Sequence, residues 1–317
     1  MHQNKSHALI LKMSIAKRPS KITLPAKAER WTTVLDFLIE HFSNITKAQW
    51  QQRIDAGKVH WQNGTAIQSD TSYNAGKVVC YYREVSHEPV IPFEHKLIFR
   101  NEHILVIDKP HFLQVTPGGQ FVNECLLARL QRELKQDDIV PVHRLDRDTA
   151  GLVMFSINSE SRPRYFKLFA DQKVTKRYVA VANLKQDIKN QSVPIHWQVA
   201  NRIKASAKSR VQQQITVESP DQINARSDLS LIKTSSDIGL FQLTPHTGKT
   251  HQLRLHMMSI GMPILNDRFY PILKPREQAE DYNMPLQLLA QSLSFDDPIS
   301  GKTFEFHSQQ RLKYAPV

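Results

Sequence analysis

Two carboxylates and three cations stand within six residues of this chain. His143, Arg144, Asp146, Arg147 and Asp148 open the segment HRLDRDTAG, which runs straight into the apolar stretch LVMF. Such a crowd is either a solvated turn or a site where a carboxylate serves as nucleophile or base, and composition alone leaves the two even. Asp146 and Asp148, two apart on an extended face, would also suit the paired carboxylates of a glycosidase. Aromatic platforms for a sugar are few, however, with aromatics only 8% of the chain.

A second cluster is TPHTGKTHQLRLH, residues 244–256. Gly248-Lys249-Thr250 looks like the end of a phosphate-binding loop, but Leu243 stands where that loop needs its first glycine. An NTPase is therefore rejected. His246, His251 and His256 recur every five residues. That interval alternates faces on a strand and turns each ring well off the last on a helix, so a shared metal is not expected. Arg254 lies among Leu253, Leu255 and Met257, which implies a partly buried guanidinium in need of a carboxylate. That partnership could equally be a structural ion pair. In a third segment, Tyr178 follows Lys176-Arg177 at the head of an apolar strand, where a core aromatic with a wet tip is the simpler reading.

Taken together the segments point one way. HRLDRDTAG resembles the H-R-L-D-x-x-T-S-G motif of the RluA-type pseudouridine synthases, and HTGKTHQLRLH resembles that family's T-G-R-x-H-Q-I-R-x-H. IDKP matches its early Lys-Pro motif, and KRYVAV the strand that carries its active-site tyrosine. SIGMPILNDRFY and LLAQSLSFDDPISG resemble later family segments, so the likeness runs in order from about residue 90 to 307. Ala150, Lys249 and Asn266 depart from the usual serine, arginine and glycine, and VTPGG stands where the family often has His-Pro. The lysine gives up a bidentate fork on phosphate. These departures bear on the substrate subgroup more than on the reaction.

The resemblance implies isomerisation of uridine to pseudouridine in folded rRNA or tRNA, with no cofactor and no metal. It implies Asp146 as nucleophile or base. Arg254 would keep that carboxylate ionised and aimed, and Tyr178 would stack on the uracil. The target base must leave its stack. Arg144, with His143 beside it, is the candidate to fill the gap or hold a phosphate. Lys109 and Lys249 are further candidate RNA contacts. The competing reading is an inactive RNA-binding or ribosome-assembly protein of the same fold. It would be told apart by whether Asp146, Arg254 and Tyr178 converge.

The elements that must position these residues show a boundary. Residues 1–22 are basic and without periodicity, and read as a flexible arm. Val34, Leu35, Leu38, Ile39 and Phe42 fall on one helical face. Thr46 opens a second helix carrying Trp50 and Ile54, and VHW and VVCYY read as short strands. This unit, residues 23–86, is similar to an S4-type RNA-binding module, with Lys47 and Lys58 as candidate contacts. Pro89 and Pro92 mark a linker before the catalytic part, residues 87–317. There, mixed strands and helices without a βαβ rhythm predict an α+β fold with a mainly antiparallel mixed sheet. The polar stretch from Asp187 to Ser230 reads as hairpins and loops.

Composition agrees. Lys plus Arg number 42 against 30 Asp plus Glu, a formal net charge of +12, which favours a polyanion. Cys80 and Cys125 form no disulfide framework, and no apolar run reaches the length of a spanning helix. The expectation is a cytoplasmic monomer that binds RNA, with no membrane and no required protein partner.

Overall fold

In the computed structural model the chain divides into two compact units. Unit 1 is Met1–Pro89 together with Gly118–Asn123, and unit 2 is Val90–Pro117 with Glu124–Val317. The structure describes residues 14–26, 30–207, 209, 211–216, 220–274 and 280–316.

Unit 1 contains β1 (Ser14–Ile15), β2 (Ser20–Thr23), α1 (Val34–His41), α2 (Lys47–Asp55), β3 (Val59–Trp61), β4 (Val78–Tyr81) and β5 (Glu84–Val85). Both helices begin at capping boxes, Thr33 with Asp36 and Thr46 with Gln49. In each box the threonine side chain and the third helical residue satisfy one another's orphan N–H groups. Trp50, Phe37, Leu38 and Ile54 pack with Val59 and Val79 of the β2-β4-β3 sheet. Ser20–Thr23 pairs with β4 across its whole length, so the unpatterned arm of the sequence reading ends too late. Residues 20–23 alternate partly buried and exposed positions, a two-residue period too short to register against the surrounding basic residues. Within the expected arm Ser14–Ile15 also pairs, as β1 with β5, and residues 1–13 lie outside the described residues.

Unit 2 contains β6 (Lys96–Arg100), β7 (Ile104–Lys109), α3 (Leu126–Glu133), β8 (Val140–Pro141), β9 (Ala150–Ser156), α4 (Arg162–Ala170), β10 (Thr175–Asn183), β11 (Ile195–Ala205), β12 (Gln213–Thr216), β13 (Ala225–Ser235), β14 (Ile238–Pro245), α5 (Gln252–Ser259), β15 (Leu288–Asp296) and β16 (Thr303–His307). Its strands form one sheet in the order β12-β11-β13-β14-β10-β15-β9-β7-β6, with β16 on β15 and β8 on β9. The β15–β9 pair is parallel and the others are antiparallel, the mixed α+β sheet expected from the sequence. The stretch from Asp187 to Ser230 is more regular than expected, because β11 and β13 each run 11 residues. On β11 a partly buried residue alternates with an exposed one for most of its length, so polar positions recur that mimic loop composition.

Two helices close the sheet. Leu253 and Met257 of α5 pack on Leu229, Leu231, Phe241 and Leu243. Tyr165 and Leu168 of α4 pack on Ile104, Val106, Leu152 and Leu293. Gly151 sits where parallel strands β9 and β15 touch. Its φ is +109°, and a Cβ there would lie 2.2 Å from the carbonyl oxygen of Ala290. Only glycine meets both conditions.

Candidate active site

The loop from Val142 to Thr149 joins β8 to β9 and carries Asp146. Four residues fix it. Lys109, at the end of β7, donates from Nζ to the carbonyls of Pro110, Leu113 and Arg147 at 2.8–3.0 Å. The Thr149 N–H donates to the Asp146 carbonyl at 3.2 Å. His111 Nδ1 lies 2.7 Å from the Asp148 carbonyl, and so carries the proton of that bond. Arg147 reaches Asp148 through Nη2 at 2.8 Å and Glu280 through Nη1 at 2.7 Å. The loop is thus held mainly through its backbone, which leaves the Asp146 side chain free to point elsewhere.

A second loop, residues 246–251, leads into α5. Gln252 organises it. Its Oε1 accepts from Thr247 Oγ1 at 2.8 Å and from the Lys249 N–H at 3.0 Å. Its Nε2 donates to the Arg226 carbonyl and to Ser227 Oγ, each at 2.9 Å. His251 then turns the chain with φ at +57° as the residue before the helix. Six successive residues of α5, Gln252 to Met257, are buried, so Arg254 is enclosed whatever face it takes.

These loops and the start of β10 surround a cavity of about 800 Å³ lined by Asp146, Arg254, Tyr178, Arg144, His143 and Lys249, with Lys176, Thr247 and His251 among the other wall residues. Asp146 Oδ2 is 3.4 Å from Arg254 Nη1 and 3.8 Å from His251 Nε2. Arg254 is tied more tightly to Asp267, through Nε–Oδ2 at 2.7 Å and Nη2–Oδ1 at 2.5 Å. Asp267 Oδ1 also accepts the N–H groups of Phe269 and Tyr270, and the guanidinium carbon lies 4.8 Å from the Phe269 ring centre. Burial works against the Arg254 cation, but its hydrogen bonds to Asp267 more than offset that, and its pKa rises. Tyr178 lies at a register shift of β10 against β15. Burial, with the charge of Asp146 adding to it, raises its pKa, so it is a neutral phenol.

The cavity therefore gathers the three residues assigned to chemistry, and with them Arg144 and Lys249, both exposed. Four cations, Arg144, Lys176, Lys249 and Arg254, face it against the single carboxylate of Asp146. That balance suits a polyanion with one acidic group set aside for reaction.

Other sequence candidates take different places. Lys109 is fully buried with its ammonium on three carbonyls, so it cannot touch RNA. Burial draws it down to about 7, against the pull of Asp148 and Asp146. His143 stacks on Phe169 with ring centres 4.7 Å apart, and its Nε2 accepts the Met154 N–H at 3.1 Å. It is a wall of the cavity and has given its acceptor to the protein; burial pushes its pKa down to about 3. In unit 1, Lys47 is exposed at the start of α2, whereas Lys58 pairs with Glu84, which also holds Arg53. The sequence reading missed Asp267, Gln252, Glu280 and the orientation of His251. The NDRFY segment held Asp267 in view, but only folding sets it against Arg254. Among the described residues no group of three or more metal-ligating side chains converges.

The family model for RNA pseudouridylate synthase matches residues 103–259. A Helicobacter pylori protein named as an uncharacterized RNA pseudouridine synthase is 31% identical over 233 residues, covering 69% of this chain and 74% of that protein. The dual-specificity RNA pseudouridine synthase RluA of Haemophilus influenzae is 26% identical over 230 residues, 71% of this chain and 97% of that one. The solved structure of human RNA pseudouridylate synthase domain containing 1 shares the fold, with a TM-score of 0.53 at 20% identity, over 71% of this chain and 86% of that one. The chain belongs to the RNA pseudouridine synthase family, of the RluA type. It is an enzyme that forms pseudouridine in RNA. No helix among the described residues is long and apolar enough to cross a membrane.

Proposed function

We propose that this enzyme isomerises particular uridines of a structured rRNA or tRNA, with Asp146 as the reacting carboxylate. The observation that carries the reading is the meeting of Asp146, Arg254 and Tyr178 at one cationic cavity. Asp146 works at the ribose or the ring to release the base from C1′, and the base rejoins through C5. Over the cycle the C5 proton leaves and N1 gains one, so no outside reagent is consumed. Arg254, itself fixed by Asp267, orients the carboxylate. Tyr178, a neutral phenol, stacks on the flipped uracil and can relay the C5 proton only by releasing its own proton, toward N1 or water, as it takes that one up. Arg144, exposed at the rim, enters the space the base vacates or holds a phosphate there. Lys249 supplies a further phosphate contact.

Unit 1 acts as an S4-like RNA-binding module, with Lys47 on its exposed helix start as a contact. The enzyme works as a cytoplasmic monomer, and its two buried cysteines, which form no disulfide, suit a reducing compartment.

The test is to map pseudouridine in rRNA and tRNA from cells with the gene, without it, and with Asp146→Asn in its place. One or more positions should vanish in both defective strains, while the purified variant still binds the RNA. Sites that persist in the Asp146→Asn strain would remove Asp146 from the chemistry. Sites unchanged without the gene would favour a non-catalytic RNA-binding role.

A further inference from the structure

Beside Asp146 the cavity presents a second acceptor whose proton state is set by the protein. Tyr270 is buried, and its hydroxyl accepts the Gln213 N–H at 2.8 Å and donates its own proton to the Gln213 carbonyl at 3.1 Å. A hydroxyl has one proton and two lone pairs. Its remaining contact, His251 Nδ1 at 2.9 Å, is therefore one in which the histidine donates. The neutral ring that results has a bare lone pair on Nε2, 3.8 Å from Asp146 Oδ2. That separation is too long for a direct hydrogen bond. Burial pulls the His251 pKa down, with Asp146 opposing and Arg254 assisting, and so favours this neutral ring. The imidazole cannot swing away: Phe269 lies over it with ring centres 5.2 Å apart, and the backbone is held at a positive φ.

Asp146 Oδ2 and His251 Nε2, two acceptors side by side at the cavity, form a station for a donor from the substrate. If Asp146 works at the C1′ end of the ribose, the nearest donor of the target nucleotide is the hydroxyl on the adjacent carbon. We propose that His251 Nε2, next to Asp146, accepts a hydrogen bond from the 2′-hydroxyl of the target uridine and so makes the site selective for ribose over deoxyribose. The 2′-hydroxyl is the group by which a protein tells RNA from DNA. This rests on the reading of Asp146 given above.

The test uses a stem-loop cut around a uridine assigned by the mapping, made with either uridine or 2′-deoxyuridine at that position. Single-turnover rates are measured with the wild type, His251→Asn, His251→Gln and Tyr270→Phe. Asparagine tolerates a positive φ, and its amide reaches the Nδ1 position toward Tyr270 but puts nothing at Nε2. Loss of one hydrogen bond corresponds to about tenfold. The wild type should prefer uridine by at least about that factor beyond what His251→Asn shows. Effects of the missing hydroxyl on sugar pucker and reactivity strike every enzyme alike and cancel in this comparison. Glutamine, which offers an amide oxygen near the Nε2 position, should regain part of the preference. Tyr270→Phe, which frees the tautomer, should lower it. Should His251→Asn not fold, Tyr270→Phe decides.

Undiminished preference in the folded His251→Asn or Tyr270→Phe enzyme overturns the proposal. An Asp146→Asn enzyme that still converts the uridine of this stem-loop sinks the Asp146 reading and this inference with it, a distinct result from an Asp146-dependent enzyme whose preference ignores His251.

Discussion

Arg254 is bound to Asp267 by two hydrogen bonds, at 2.7 and 2.5 Å, while Asp146 stands off at 3.4 Å. The arginine is thus a buried charge held by one carboxylate and offered to another. Nη1 is the nitrogen aimed at Asp146, and Nε and Nη2 belong to Asp267.

That geometry sets what is expected of Arg254→Lys. An ammonium keeps the charge but cannot make two parallel bonds to Asp267 and also reach Asp146. Breaking a buried pair costs on the order of 3–5 kcal/mol, so this variant should lose stability as well as turnover. Asp267→Asn should lose a comparable share of stability, and turnover with it although it never touches Asp146. Urea midpoints and single-turnover rates on the same preparations check both. An Asp267→Asn enzyme with full rate would mean that Arg254 is aimed by something else.

The pH dependence follows from three neutral histidines. Burial lowers His143 to about 3, and His111 and His256 to about 4. An unfolded histidine titrates near 6.5. Between these values the unfolded chain holds more protons than the folded one, so stability is lost as pH falls from 6.5 toward 4. His143→Phe keeps an aromatic ring for Phe169 and removes one titration. It should be less stable overall, since the Met154 N–H loses its acceptor, yet its stability should fall less steeply below pH 6.5. The difference is roughly one proton, or about 1.4 kcal/mol per pH unit. Equal slopes for the two proteins would show that His143 titrates normally.

Gly151→Ala tests the β9–β15 contact. The new methyl meets the Ala290 carbonyl at 2.2 Å on a backbone at φ +109°, so either a strand moves or the pair parts. Strain and overpacking each cost about 1–3 kcal/mol, and both apply. Because Gly151 follows the Asp146 loop closely, turnover should fall too. A thermal midpoint within a degree of the wild type would contradict the close approach.

Removal of residues 1–86 should weaken RNA binding and spare the chemistry, because every residue lining the cavity belongs to unit 2. Each lost phosphate contact should flatten the salt dependence by about 0.7–0.9 in log–log slope. The deletion also strips partners from Gly118–Asn123, which packs with unit 1: Arg83 binds the Gly119 carbonyl, and Asn123 Nδ2 donates to the Ile15 carbonyl at 3.1 Å. A loss of stability should therefore accompany a single-turnover rate at saturating RNA close to that of the full chain. A folded truncation whose rate saturating RNA cannot restore would make unit 1 part of the catalytic apparatus.

What the sequence determined by itself was the family and the approximate frame, with candidates for the chemistry. HRLDRDTAG and HTGKTHQLRLH put Asp146 and Arg254 forward as candidates, the apolar periods gave the helices and inner strands, and the absence of βαβ rhythm gave the mixed sheet. These features are local: a motif or a period is complete within a dozen residues. Tertiary structure decided everything that depends on which distant groups meet. It gave Arg254 to Asp267, sank Lys109 beneath the Asp146 loop and committed His143 to Phe169 and Met154. It joined Gly118–Asn123 to unit 1 and set the tautomer of His251 through Tyr270. A lysine or histidine has the same letter whether solvated or enclosed, and its burial, partner and proton state follow from strand register and loop closure. Those are properties of contacts far apart along the chain, and no window of sequence contains them.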